Sequence, residues 1–242
     1  MRLTLLGTGT TSGIPAAGCI CGACDRARTG TGPSRRHTCA WIADHRFSVQ
    51  VDAGLVGPDR PDALLLTHYH PDHVAEIAAV AAGRPVWGPE DPDRRIAVED
   101  RVPGLRIRVV EPFVSIALAN GWTATPVPLH HTIPAVGWLV EGPRRIAWLT
   151  DTLGLPERTT AFLAALRPDL GAIDCSFPPD DPRAEEKRHN DLPRAVAALM
   201  AIRCTAGRLV HIGHHLQCHL DEGTVLPPWC AVGHDGERIA WS

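Results

Sequence analysis

Short apolar runs alternate with polar breaks along this chain, and long amphipathic stripes are rare. The runs fall at residues 3–6, 47–51, 63–67, 85–87, 105–110, 123–127, 137–140, 146–149, 171–174, 209–211 and 238–241. Several are rich in Val, Ile and Leu, and each is bounded by Gly, Pro, Asp or Arg, which predicts β-strands. Three stretches between them predict helices. Residues 73–82 carry Val74, Ile77, Ala78 and Ala81 at helical spacing, 156–166 open on a proline suited to a first turn, and 192–202 are apolar on several sides. The polar, proline-marked segment 180–189 reads as a long loop. Many strands with helices inserted singly imply two sheets covered by helices, an α/β layered architecture. No linker divides residues 1–242, so one domain is expected.

Composition narrows the class. With 44% hydrophobic and 21% charged residues, the chain is neither disordered nor unusually charged. No apolar run approaches the roughly 18 residues of a spanning helix. The start of the chain is interrupted at Gly7, too soon for a secretory signal. A cytoplasmic protein without a membrane partner is therefore expected. Net charge is −3, and Lys187 is the one lysine among 24 basic residues. That leaves no overall footprint for duplex binding, so no nucleic-acid partner is expected. Eight cysteines without an export signal favour metal binding or buried thiols over a disulfide framework.

The 13 histidines matter because of where they stand. His68, His70, Asp72 and His73 follow the apolar run 63–67. Two histidines two apart at a strand end can point to one side. Four ligand-type side chains within six residues can serve two metal ions, the first pair on one ion and the second pair on the other. The competing reading is a polar loop that happens to hold three histidines. A second cluster, Cys19, Cys21 and Cys24, suits a tetrahedral zinc that lacks one ligand. Another cysteine or a histidine could supply it, and a site closed in this way would be structural.

The His-x-His-x-Asp-His string resembles the signature of the metallo-β-lactamase superfamily, which implies an αββα sandwich with a dinuclear metal site at a sheet edge. The resemblance implies later ligands in the order His, Asp, His. His131 is chosen over its neighbour His130 because Thr132 follows it. Asp151 takes the place of the carboxylate that bridges both metals, and His211 comes last.

The match narrows to the phosphoribosyl cyclic phosphodiesterases of the PhnP type. It is carried by residues 5–9 (Leu-Leu-Gly-Thr-Gly), the cysteine cluster, 52–54 (Asp-Ala-Gly), 66–73, 110–114 (Val-Glu-Pro-Phe-Val), 125–129 and 147–152 (Ala-Trp-Leu-Thr-Asp-Thr). It continues through 154–157, 174–176 (Asp-Cys-Ser), 189–192 (His-Asn-Asp-Leu) and 211–214 (His-Ile-Gly-His). In such proteins the second histidine of the last motif, here His214, completes the structural zinc site with Cys19, Cys21 and Cys24, although His215 stands beside it.

The resemblance also implies a reaction. Two divalent ions, Mn²⁺ or Zn²⁺, would activate a bridging hydroxide that opens 5-phospho-ribosyl 1,2-cyclic phosphate to ribose 1,5-bisphosphate in phosphonate catabolism. His189 would be the general acid, with Asp72 and Asp151 in the catalytic set. The expected partner is this phosphorylated ribose, and a homodimer is implied. The substrate's 5-phosphate needs a cationic contact, for which Arg35 and Arg36 are the candidates. Alternatives are an RNA-processing phosphodiesterase of the same superfamily and a non-catalytic, zinc-stabilised protein of cofactor biosynthesis.

Overall fold

In the computed structural model, residues 1–241 are described. Two seven-stranded sheets face each other. The first contains β1 (Arg2–Gly7), β2 (Cys39–Ala43), β3 (Ser48–Val51), β4 (Ala63–Leu65), β5 (Val86–Gly88), β6 (Ile107–Val109) and β14 (Arg238–Ala240), in the order β14-β1-β2-β3-β4-β5-β6. The second contains β7 (Ile116–Ala117), β8 (Thr123–Pro128), β9 (Val136–Glu141), β10 (Arg145–Leu149), β11 (Leu170–Asp174), β12 (Ala206–Val210) and β13 (Cys230–Val232), in the order β13-β12-β11-β10-β9-β8-β7.

Period-two alternation builds three layers of core from these strands. Ala63 and Leu65 of β4 point inward and join Ile146 and Trp148 of β10 between the sheets. Leu64 and Leu66 point outward against Ile77 and Val80 of α2 (Ile77–Val80) and Val98 of α3 (Pro92–Glu99). On the second sheet Ala147 and Leu149 point outward. There they meet Leu163 of α4 (Glu157–Leu166), Leu199 of α6 (Leu192–Ala201) and Leu216 of α7 (His214–Asp221). The result is the αββα sandwich expected from the sequence.

The two sheets share a design that fixes the site. β3 to β6 are mutually parallel, and so are β10 to β13. Ligands in such sheets gather outside the carboxyl ends of the strands. Backbone bonds stitch the two sets of strand ends together, from Ile212 N–H to Thr8 O (2.7 Å) and from Val136 N–H to Thr67 O (2.9 Å).

Some elements differ from the sequence reading. The helix expected over 73–82 is a 3-10 turn (Pro71–His73) followed by the single turn α2, because the chain is held at 71–73 by the site. Segment 180–189 is not all loop, since α5 (Arg183–Lys187) lies within it. β2, β7 and β13 were not marked by the apolar pattern. Nor were α1 (Gly22–Thr29), α3 and α7, whose first turns carry cysteine, proline or histidine in place of an apolar stripe. No helix among the described residues is long and apolar enough to cross a membrane.

Candidate metal centre and active site

Five strand ends deliver the parts of the site. The segment after β4 brings His68, His70, Asp72 and His73, that after β8 brings His131, and that after β10 brings Asp151. β11 ends on Asp174, and His211 follows β12. His68 Nε2 and His131 Nε2 lie 3.0 and 3.1 Å from His70 Nδ1. Asp151 Oδ2 is central, at 3.7 Å from His68 Nε2, 3.5 Å from His73 Nε2, 3.9 Å from His131 Nε2 and 3.4 Å from His211 Nε2. Asp72 Oδ2 sits 3.6 Å from His73 Nε2 and 3.8 Å from His211 Nε2. One donor group is thus His68, His70, His131 and Asp151, another is Asp72, His73 and His211, and a third set, Asp151, Asp174, His189 and His211, overlaps both. Asp151 lies between the first two. His130 is exposed and stays outside all three.

These donors fit divalent metal ions. Ligands about 2.1 Å from one tetrahedral ion stand about 3.4 Å apart, close to the separations found. Asp72 Oδ1, His73 Nε2, Asp151 Oδ1 and His211 Nε2 are buried without a hydrogen-bond partner, a costly state for a polar atom unless something binds it. The backbone is also held at a cost: Asp52 and His211 take positive φ, 62° and 57°, a conformation rare outside glycine.

Behind the donors stands a shell that fixes their tautomers. His73 Nδ1–H donates to Asp52 Oδ2 (2.8 Å), and Asp52 also accepts from Thr67 N–H and Oγ1–H. His68 Nδ1–H donates to Thr67 Oγ1 (2.9 Å), and His131 Nδ1–H to Arg188 O (3.3 Å). His211 Nδ1–H donates to Ser176 Oγ (2.9 Å), whose hydroxyl donates to Asp174 Oδ1 (2.8 Å). Each ring therefore turns Nε2 towards the cluster. Thr11 Oγ1–H donates to Asp72 Oδ2 (2.8 Å). Asp52, Thr67, Ser176 and Asp174 were not assigned roles from the sequence, although all four lie in the segments that carried the resemblance.

Charge follows from this packing. Burial and the neighbouring His73 push His68 well below the ordinary imidazole value, and burial brings His131 down to about 4. Burial also opposes a proton on His211, but Asp151, Asp174 and Asp72 outweigh it and raise the group to about 10. Asp151 is held well below the carboxylate range, since His211, His73 and His189 overcome the effect of burial.

His189 is set directly beside this cluster. Its Nδ1 lies 2.7 Å from Asp174 Oδ2, and its ring stacks on His211 at 4.9 Å with 17° between planes. It lines a cavity of about 660 Å³ together with His70, Asp72, His131, Asp151 and His211.

A second donor group closes about the N-terminal cysteines. Cys21 caps α1, and Cys24 lies in its first turn. Cys19 Sγ and Cys21 Sγ are each 3.4 Å from His214 Nδ1, and the four donors with Cys24 lie within 4.8 Å of one another. Three thiols and one imidazole match a structural zinc site. Burial would raise the Cys21 thiol, but the Cys24 N–H and contacts with His214, Cys19 and Cys24 bring it down to about 6, as a thiolate ligand requires. His214 opens α7 behind Gly213, where a Cβ would stand 2.4 Å from Ser176 O. His215, beside it, is not among these donors.

Arg35 and Arg36 are corrected by the structure, because neither lines this cavity. Arg35 is 5% exposed and donates to Gln217 Oε1 (2.8 Å), Thr8 Oγ1 (2.7 Å) and Gly233 O (2.6 Å). Its guanidinium is used up as a structural tie. Arg36 pairs with Asp235 and donates to Leu6 O at the surface.

Comparison with known proteins agrees with this picture at the level of the fold. A diphosphatase of the PhnP family is 22% identical with a TM-score of 0.77, covering 100% of this chain and 98% of that one. Zn²⁺-bound PqqB from Methylobacterium extorquens is 18% identical with a TM-score of 0.79 over all of both chains. The short form of human tRNase Z is 16% identical with a TM-score of 0.72 over 99% of each. In sequence, 98% of the chain matches an octanoyltransferase of Porphyromonas gingivalis at 26% identity, spanning about half (51%) of that protein. Residues 31–214 match the model of the beta-lactamase superfamily domain, and the chain belongs to that family of metal-dependent hydrolase folds.

Proposed function

We propose that this protein is a metal-dependent phosphodiesterase that opens 5-phospho-ribosyl 1,2-cyclic phosphate to ribose 1,5-bisphosphate, a step of phosphonate breakdown. The observation that carries this reading is the placement of His189, held by Asp174 at 2.7 Å and stacked on His211, next to two donor groups with Asp151 between them. Such a site needs both a cluster for metal ions and a proton donor that is not itself a ligand.

His68, His70, His131 and Asp151 would hold one divalent ion, and Asp72, His73 and His211 the other, with Asp151 shared. When bound, such ions supply Lewis acidity to a phosphoryl oxygen and lower the pKa of water. The chain's own groups do the rest. Asp174 fixes the His189 ring through Nδ1, so Nε2 is the atom that faces the cavity and can give a proton to the departing sugar oxygen. Thr11 orients Asp72. Asp52, Thr67 and Ser176 lock the ligand rings, so little reorganisation is needed when substrate arrives. Cys19, Cys21, Cys24 and His214 would hold a structural zinc that joins the N-terminal loop to α7.

The likeness to a PhnP-family diphosphatase supports this reading, and the net charge of −3 speaks against an RNA substrate. The test is hydrolysis of the ribosyl cyclic phosphate, linear phosphodiesters and a transfer-RNA precursor by protein loaded with Mn²⁺ or Zn²⁺. Turnover led by the ribosyl cyclic phosphate is expected. Preference for the RNA, or no phosphodiester turnover by metal-loaded protein, overturns the proposal.

A further inference from the structure

The metal donors gather at the carboxyl ends of the parallel strands, and the opposite end of the same sandwich holds a second, larger cavity of about 890 Å³. Residues that lead into β3, β4, β5 and β6 line it, among them Phe47, Asp62, Arg84 and Arg106, together with Ala117 to Ala119 at the end of β7. Asp62 precedes β4 and His68 follows it, a stretch of roughly 20 Å in extended chain. The two cavities have no lining residue in common.

Three arginines line this cavity, Arg84, Arg106 and Arg108, against a single acid, Asp62. Asp62 is engaged by Ser48, whose N–H and hydroxyl donate to its Oδ2 (2.9 and 3.0 Å). Elsewhere Arg26, Arg94, Arg95, Arg145 and Arg208 each find a carboxylate, but among the described residues none of these three does. Arg106 donates only to Leu105 O (2.7 Å), and Arg108 lies over Trp87, 5.1 Å from its ring centre. Register sets that contact, because Arg108 of β6 stands beside Trp87 of β5, whose ring belongs to the core between the sheets. Arginines on an edge strand also discourage pairing with another sheet, which would account for Arg106 and Arg108. It does not account for Arg84, which leads into the interior strand β5 and lines the same cavity.

We propose that this cavity is a second ligand site, separate from the metal centre, which takes a small phosphate-bearing anion on Arg84, Arg106 and Arg108. Guanidinium forks match phosphate oxygens, and forks without a carboxylate need displace nothing to bind them. Val102, Leu105 and Leu118 add an apolar wall for the organic part of a phosphate ester, and the volume is that of a small-molecule site. The chain as a whole carries −3, so three arginines facing one aspartate are a local feature and not part of a generally basic surface. The site is independent of the phosphodiesterase reading, with which it shares no residue.

The test uses metal-loaded wild type with inorganic phosphate, AMP and adenosine as probes. Phenylglyoxal modifies free guanidinium groups, and peptide mass spectrometry reads each arginine separately, so a phosphate bound at the histidine cluster does not confuse the result. Phosphate and AMP should each slow modification of Arg84, Arg106 and Arg108 severalfold, while the exposed Arg2 and Arg238 react as before and adenosine protects nothing. Protection by AMP at lower concentration than by phosphate assigns the site to phosphate esters, and the reverse order assigns it to the free ion. No protection by either, or equal slowing at Arg2 and Arg238, overturns the site.

Calorimetry with AMP gives a second reading. Wild type should show a binding event that an R84Q/R106Q/R108Q variant weakens by at least about 10-fold, and that R84K/R106K/R108K, which keeps the charge, largely retains. Metal content and Tm of the glutamine variant should match wild type, and if it melts well below, the protection experiment on wild type decides. An unchanged titration in the folded glutamine variant overturns the site. Self-association of that variant with no loss of AMP binding would leave the arginines as guards of the β6 edge alone.

Discussion

His189 Nδ1 and Asp174 Oδ2 are 2.7 Å apart, and the same carboxylate reaches His211 through the hydroxyl of Ser176. One buried aspartate thus steadies His211 of the donor cluster and His189 beside it, and the two rings stack. Proton donor and cluster are tied to one support.

If His189 protonates the leaving oxygen, His189→Ala should lower kcat by about 10²- to 10⁴-fold while metal content stays at the wild-type value. An activated p-nitrophenyl diester, whose leaving group needs no proton, should lose far less. Steady-state kinetics on both substrates with metal analysis of the same preparations check this. Equal losses on the two substrates, or unchanged turnover, would remove the acid role.

Removing one thiolate should act on the fold more than on the chemistry. Cys21→Ser breaks the contact between α1 and His214, whose donors lie 193 residues apart in sequence. Losing even about 3 kcal/mol of a structural metal's contribution lowers Tm by roughly 6–12 °C in a domain of this size. One ion per chain should disappear from metal analysis, with kcat within about threefold of wild type at a temperature where the variant is folded. The neighbouring Cys218, whose sulfur accepts from Ala23 N–H, is a rival donor, so a C21S/C218S variant separates rescue by that thiol from tolerance of its loss.

The donor set was legible in the sequence because its members are chemically conspicuous and end apolar runs. His68, His70, Asp72 and His73 are marked by type and position alone, whereas Asp151 and His211 needed the family resemblance. Choosing His131 over His130, and His214 over His215, needed the family resemblance, since adjacent identical residues differ only in where the backbone turns them. What spacing could not reveal was the supporting shell. Asp52 meets His73 from another strand end, and a single carboxylate in a chain with 27 acidic residues carries no local mark. Arg35 failed for the opposite reason. An arginine pair looks like an exposed anion site, and only the folded chain reveals that one member is buried among Thr8, Gln217 and Gly233. The strands read best where Val, Ile and Leu dominate. β2, buried throughout as Cys-Ala-Trp-Ile-Ala, was masked by its small residues.

Metal-free protein should be most stable near pH 6.5. His211, raised to about 10, and His73, raised well above the ordinary value, bind protons more tightly folded than unfolded. Their contribution is complete below about 6.5 and is lost as pH rises towards 10. His131, lowered to about 4, and His68, lowered further in the same direction, act oppositely, and stability falls as pH drops from about 6.5 towards 4. Thermal melts of chelated protein between pH 5 and pH 9.5 should trace a dome. Added Zn²⁺ or Mn²⁺ should raise Tm most on the alkaline side, where fewer protons on His211 and His73 compete with the metal. A monotonic rise of metal-free Tm from pH 6.5 to 9.5 would contradict the arrangement.

Arg35 and Arg36 offer a last contrast, because the structure gives adjacent arginines different jobs. Arg35→Met keeps much of the volume but leaves Thr8 Oγ1, Gly233 O and Gln217 Oε1 without their donor. Stranding buried acceptors in this way costs about 2–4 kcal/mol, or roughly 4–16 °C in Tm. Arg36→Ala removes an exposed pair with Asp235 and a surface hydrogen bond to Leu6 O, and such exposed pairs contribute at most about 1 kcal/mol. Neither side chain lines the cavity, so KM for the ribosyl cyclic phosphate should stay within about twofold of wild type in both variants, measured below the lower Tm. A large rise in KM for folded Arg35→Met would return that residue to the substrate and call for a different account of how its three hydrogen bonds are spent.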